Sequence, residues 1–158
     1  MHSSEGIIRE LELIDLKRVI ELERKCFDEY NAYSSKQLTY LIKSANSCCL
    51  AEINNDFIRG FIIVLYKNRS NVAGIETLNV DPKFRGSGIG KKLLMSAEQE
   101  MHVKHIRRIR LEVSTENIPA IRLYEKSGFR KTAILKNYYK YQYFGTRNAF
   151  RMIKELTT

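Results

Sequence analysis

The chain has 158 residues, 44% of them hydrophobic and 28% charged, enough for a globular protein that buries roughly two-thirds of its unfolded surface. Its net charge of +9 implies an anionic partner or a generally basic protein, and the basic residues are scattered, which argues against a nucleic-acid recognition element. The two prolines and the lack of any Gly-, Ser- or Pro-rich tract leave no linker, so residues 1–158 read as one domain. No apolar stretch is long enough to span a bilayer, and residues 1–5 lack a signal-peptide pattern; a cytoplasmic protein is expected.

Residues 7–13 alternate weakly as a first strand, with Asp15 placed to cap the helix after it. That helix should turn Leu16, Val19, Ile20, Cys26 and Phe27 inward, and residues 28–33 form a polar, aromatic loop. Ser34-Ser35-Lys36-Gln37 resembles a capping box, followed by a helical stripe of Leu38, Leu41, Ile42 and Ala45. Apolar runs at 48–53 and 57–66, separated by Asn54-Asn55-Asp56, predict a hairpin, with a third strand at 73–80 beside it. Residues 88–104 carry helical spacing. At 106–113, Ile109, Leu111 and Val113 face one way, and Arg108, Arg110 and Glu112 the other. A helix at 117–127 ends at Gly128, a position suited to a left-handed cap, and strands at 129–138 and 149–153 close the chain. The order β-α-α-β-β-β-α-β-α-β-β predicts an α/β protein: a mixed sheet of about seven strands flanked by about four helices.

Cys26, Cys48 and Cys49 cannot all pair, and they read as small buried hydrophobes in a reducing compartment. His102 and His105 have one-turn spacing but lack a third ligand and stand beside Lys104, Arg107 and Arg108, so no metal is expected.

Chemistry concentrates between 80 and 91. The strand ending at Val80 passes through Asp81-Pro82-Lys83-Phe84 into Arg85-Gly86-Ser87-Gly88-Ile89-Gly90-Lys91 and a helix. A strand, a glycine-rich turn and a helix N-terminus make an anion site, because unpaired N–H groups converge where the helix dipole is positive. Lys91-Lys92 lacks the hydroxyl of a Walker loop, and the glycines are not spaced as in a dinucleotide fingerprint.

Arg85-x-x-Gly88-x-Gly90 resembles the Arg/Gln-x-x-Gly-x-Gly/Ala signature of the GNAT superfamily of N-acetyltransferases. It follows a strand ending Leu78-Asn79-Val80-Asp81-Pro82. It precedes, at that family's spacing, Asn117-x-x-Ala120-Ile121-x-Leu123-Tyr124-x-x-x-Gly128-Phe129. The resemblance implies the GNAT fold, in which the strands ending at Val80 and Val113 splay apart and admit the pantetheine arm of acetyl-CoA. It implies that the backbones of Leu78, Asn79 and Val80 pair with that arm. Arg85, Gly86, Ser87, Gly88, Ile89, Gly90 and Lys91 would hold the pyrophosphate, with Asn117 touching the cofactor farther on. Acetyl-CoA, itself a polyanion, is then the expected cosubstrate.

Acetyl transfer needs a neutral amine, a polarised thioester and a proton for the leaving thiolate. Glu112 can serve as general base, directly or through water. Tyr124 resembles the tyrosine that protonates the CoA sulfur in this superfamily, and the Val80 N–H would support the oxyanion. Glu76, read as sharing a strand face with Leu78 and Val80, is a rival base; in polyamine acetyltransferases of the superfamily a glutamate stands at the corresponding place. Glu112 could instead pair with Arg110 or a neighbouring strand, and Tyr124 could be a core aromatic alone.

Leu111-Glu112-Val113-x-x-x-Asn117, Lys136-Asn137-Tyr138-Tyr139 and Asn148-Ala149-Phe150-Arg151-Met152 resemble the RimI-like and archaeal N-terminal acetyltransferase branch. That likeness implies direct attack by a protein α-amine in a ternary complex. Phe27, Asp28, Glu29 and Tyr30 would form one groove wall, with Tyr138 and Tyr139 opposite. An α-amine has a pKa near 8, against about 10.4 for lysine, and so asks less of its base. The chain departs from relatives with a proline after Phe27. Asp28 and Glu29 stand there instead, which keeps a polyamine acceptor open as the alternative. A non-catalytic GNAT fold that senses acetyl-CoA would be expected to lack the acid or the tyrosine. The tyrosine-rich segment 138–144 could equally pack a homodimer; monomer and homodimer both remain open.

Overall fold

The computed structural model describes residues 5–67 and 69–156; Met1 to Ser4, on which the signal-peptide reading partly rests, lie outside them. Seven strands form one sheet in the order β1-β2-β3-β4-β5-β7-β6. They are β1 (Ile7–Glu10), β2 (Ser47–Asn54), β3 (Phe57–Tyr66), β4 (Val72–Val80), β5 (Arg108–Ser114), β6 (Arg130–Leu135) and β7 (Ala149–Glu155). Four α-helices flank it: α1 (Leu16–Cys26), α2 (Ser35–Lys43), α3 (Ile89–Val103) and α4 (Ile118–Lys126).

Local chemistry explains most boundaries. The Ser34 hydroxyl accepts from Gln37 N at 3.1 Å while Gln37 Oε1 accepts from Ser34 N at 2.8 Å, closing the capping box that starts α2. Asn55 and Asp56 both take positive φ, the two-residue turn that matches the twist of a hairpin, and their short polar side chains tolerate it. Gly128, at φ +97°, ends α4 with the left-handed cap.

Both faces of the sheet carry helices, so β2 and β3 are buried on both sides and read as continuous apolar runs. Leu93, Leu94, Ala97 and Met101 of α3 pack against Ile62, Val64, Ile109, Leu111 and Met152. On the other face Val19 and Leu22 of α1 and Leu38 and Leu41 of α2 cover Cys49, Ala51, Phe61 and Ile63. Each fully buried leucine contributes about 1.5–3 kcal/mol of transfer free energy.

Five expectations differ from the structure. The first strand, expected over residues 7–13, ends at Glu10, and Leu13–Asp15 form a 3-10 helix. Asp15 precedes α1 but makes no side-chain cap; its carboxylate takes Arg9 at 2.8 and 2.9 Å and Glu12 N at 2.9 Å instead. Ala45 lies past the end of α2 and is exposed. The strand expected to reach Tyr138 ends at Leu135, before Asn137 turns into positive φ. Finally, Glu76 does not share a face with Leu78 and Val80. A bulge falls there, since Ile63 pairs with Thr77 and Val64 with Ile75. Ile75 therefore packs toward α3, while Thr77 already bonds Glu23 on α1.

Candidate active site

The parallel pair β4 and β5 is joined only by Val72↔Arg108, Ala73↔Ile109 and Gly74↔Arg110; beyond Gly74 the strands part. The ladder to β3 determines which backbone groups line the gap. Asp81 N donates to Arg59 O at 2.7 Å, and in an antiparallel ladder hydrogen-bonded pairs alternate with open ones. With Gly60 opposite Val80 and Phe61 opposite Asn79, Asn79 turns its N–H and C=O toward β3. Leu78 and Val80 turn theirs into the gap. Of the expected backbone trio, Asn79 is thus committed to the sheet, and its buried side chain faces Glu23 at 3.0 Å.

One mouth of the gap is a groove of about 510 Å³ that begins at the glycine loop. Gly86 and Gly88 hold φ +81° and +85° with open space where a Cβ would stand. Gly88 in that left-handed conformation is the N-cap of α3. The first turn of α3 therefore presents N–H groups without intrahelical partners, and Arg85, Lys91, Arg122 and Lys126 stand around the groove. Gly90 has a different purpose: a Cβ there would come 3.1 Å from Leu123 Cδ2, so its absence lets α3 approach α4. Ile89 is a buried anchor, and the Ser87 hydroxyl donates to the Phe84 carbonyl. Arg85 reaches Val80 O at 3.3 Å and Cys26 Sγ at 3.5 Å.

The opposite mouth is a cavity of about 230 Å³. Glu112, Glu76, Tyr138, Tyr139 and Phe27 line it, together with Tyr33, Tyr143, Asn31 and Glu23. Phe27, Leu78, Asn117, Ala120, Tyr124 and Tyr143 line both cavity and groove, so the two spaces meet at Tyr124. Asn117 also caps α4, accepting from Ala120 N at 3.4 Å.

Glu112 pairs with the neighbouring strand: Arg151 Nε lies 3.1 Å from Oε2, and the Tyr138 hydroxyl 3.4 Å from Oε1. Glu76 accepts from the Tyr33 hydroxyl at 2.6 Å. Burial pushes the phenols of Tyr33, Tyr124, Tyr139 and Tyr143 well above their ordinary pKa, and adjacent Glu76 raises Tyr33 further. These hydroxyls stay protonated, as donors, at neutral pH. Glu23 is buried, accepting Tyr33 N, Thr77 Oγ1 and Asn79 Nδ2 at 2.9–3.0 Å. Burial outweighs those donors and raises its carboxyl.

Asp28, Glu29 and Tyr30 line neither space. Asp28 is spent on its own turn, accepting from Tyr30 N, Asn31 N and the Asn31 amide at 2.9–3.0 Å, and Glu29 is exposed. Tyr30 packs against Tyr141 in a tilted ring pair with centroids 4.9 Å apart. Cys26, expected in the core, is half-buried in the cofactor-side groove. Tyr33 and Tyr143 were not singled out from the sequence; their only signal was an unusual density of aromatics in two irregular segments. Among the described residues no cluster of His, Cys, Asp or Glu could hold a metal, and no helix is long and apolar enough to cross a membrane.

The chain is similar to a putative ribosomal protein bS18 alanine N-acetyltransferase from Bacillus subtilis, 40% identical over 67 residues, which are 42% of this chain and 44% of that protein. The matched stretch thus spans less than half of that curated relative. Among solved structures, the ribosomal-protein-S18-alanine N-acetyltransferase from Escherichia coli superposes with a TM-score of 0.86 at 25% identity, covering 97% of this chain and 95% of that one. Ard1 from Thermoplasma volcanium gives 0.85 at 28% identity, over 97% and 99% of the two chains. The model of the acetyltransferase (GNAT) family matches residues 16–129, from the start of α1 through the glycine loop to the end of α4, and the chain belongs to that family.

Proposed function

We propose that this protein transfers the acetyl group of acetyl-CoA to the α-amine of a protein N-terminus, by direct attack in a ternary complex. The observation that carries the reading is the meeting of two spaces across the β4–β5 gap. One is bordered by the glycine loop and by cations, the other by carboxylates and phenols, and both touch Tyr124. The first suits the phosphates and pantetheine of CoA: N–H groups of the α3 first turn take the pyrophosphate, and the gap-facing groups of Leu78 with the Val80 carbonyl take the pantetheine amides, leaving the Val80 N–H to the acetyl group. The second suits an amine. Two of the relatives described above, named as alanine N-acetyltransferases of a ribosomal protein, support a protein acceptor.

In this reading Glu112 removes the amine proton, directly or through a water. The amine attacks the thioester carbon, the Val80 N–H bears the developing oxyanion, and Tyr124 gives its proton to the departing CoA thiolate. Glu76 is the second carboxylate at the amine site and the base of the alternative, a polyamine acceptor. The free cysteines, two of them buried, fit a reducing compartment such as the cytoplasm.

Initial velocities test the ternary complex. Varying acetyl-CoA at several fixed peptide concentrations should give intersecting double-reciprocal lines. Parallel lines, the mark of an acetyl-enzyme intermediate, would contradict it.

A further inference from the structure

The amine cavity is closed over at one end. Asn31 Nδ2 donates to Gln142 O at 3.1 Å, Tyr30 packs at a tilt against Tyr141, and Phe27 stacks on Tyr143 with centroids 5.7 Å apart. The segment after α1 is thereby tied to the segment before β7. At its other end the cavity continues into a second groove of about 500 Å³ on the sheet face beside α2. Gly74, Glu76 and Arg110 line both spaces. Gly74 brings no side chain to the junction, which Arg110 Nη2 borders.

The balance of charged side chains shifts from acidic to basic along this path, with Glu76 and Arg110 at the junction. Glu23, Glu76 and Glu112 line the inner cavity. The outer groove presents Arg110, about half exposed, and exposed Lys67, between Tyr40 and Tyr66 and beside Ser44, Asn46 and Ser70. Its carboxylate, Glu76, is engaged with Tyr33 at the inner end. Arg110 leans on Glu112 only distantly, at 3.8 Å.

Building on the N-terminal reading above, we infer that the acceptor chain leaves the amine site over Gly74 into this groove. There Arg110 and Lys67 select acidic side chains at about the third and fourth positions of the acceptor. An N-terminal ammonium followed by acidic residues carries its charges in the order that the path presents. A polyamine, cationic throughout, would bring its second amine against Arg110 and Lys67.

The test uses the full-length protein and peptides that share a free N-terminus and their first two residues, with Glu-Glu, Ala-Ala or Lys-Lys following. The expected kcat/KM for the Glu-Glu peptide exceeds that for Lys-Lys by roughly three- to tenfold at low salt, as exposed ion pairs allow, and the ratio shrinks as salt is added. In Lys67→Ala, Arg110→Ala and the double variant that ratio falls toward one; being taken within each variant, it is insensitive to any general loss of activity. Equal turnover of all peptides by the wild type, or a preference that survives the double variant, would overturn the groove assignment while leaving N-terminal acetylation intact. Turnover of none of them would instead remove the reading on which the inference rests.

Discussion

The Tyr33 hydroxyl donates to Glu76 Oε2 at 2.6 Å, holding this carboxylate through a neutral phenol. Glu112 is held differently, by the Arg151 guanidinium on one oxygen and loosely by Tyr138 on the other. If Glu112 is the general base, Glu112→Gln lowers kcat by roughly 10²–10⁴-fold, while Glu76→Gln acts mainly on KM for the acceptor. The reverse order would transfer the base to Glu76.

Tyr124 stands where cofactor groove and amine cavity meet, and its ring packs edge-on against Phe129 at 5.7 Å. Tyr124→Phe keeps that packing and removes only the proton donor. Unchanged acetyl-CoA affinity by calorimetry together with a reduced kcat is the expected pair of results. A wild-type kcat would make Tyr124 a core aromatic.

The glycine loop predicts two distinguishable defects. Gly88→Asp forces a side chain into positive φ, at a cost of about 1–2 kcal/mol, and sets a carboxylate beside the cofactor phosphates. Its Kd for acetyl-CoA should rise more than that of Gly88→Ala, which carries the strain without the charge. Gly90→Ala should lose stability instead, because Leu123 must give way; thermal melts separate the two. Cofactor affinity unchanged in Gly88→Asp would refute the phosphate assignment.

Asp81 anchors the entry to that loop. Its carboxylate accepts from Arg18 Nη2 at 2.8 Å and Lys83 N at 3.1 Å. Burial pushes its pKa up, but those bonds outweigh it and hold the carboxyl below the ordinary value. A carboxylate with a depressed folded pKa adds stability that is complete above its unfolded pKa of about 3.9 and lost as pH falls through the folded one. Asp81→Asn should cost about 1–3 kcal/mol at pH 7, and denaturant unfolding should show the gap to wild type closing below about pH 4.

The features legible in the sequence were those with a local cause. Gly86 and Gly88 betray a loop because few other residues tolerate their φ, Ser34 and Gln37 announce a helix start, and Asn55-Asp56 marks a turn. The misread positions depend on tertiary events. Strict alternation puts Glu76 on the face of Leu78, and one bulged residue, with no sequence signature, moves it to Tyr33. Asp15 looked like a cap until Arg9, on a neighbouring strand, claimed its carboxylate. The family likeness places Asp28 and Glu29 at the acceptor groove. Asp28 turned out to serve its own turn, while Tyr33 and Tyr143 reach the cavity only because two irregular segments close on each other.

The central claim is the identity of the acceptor, and one comparison reaches it directly: kcat/KM for a peptide with a free N-terminus, for the same peptide N-terminally blocked but carrying a lysine, and for spermidine. The free N-terminus should be the best acceptor, and Tyr138→Ala should raise its KM more than Tyr138→Phe does. A higher kcat/KM for spermidine or for the blocked lysine peptide would contradict it and make Glu76 the centre of a different substrate site.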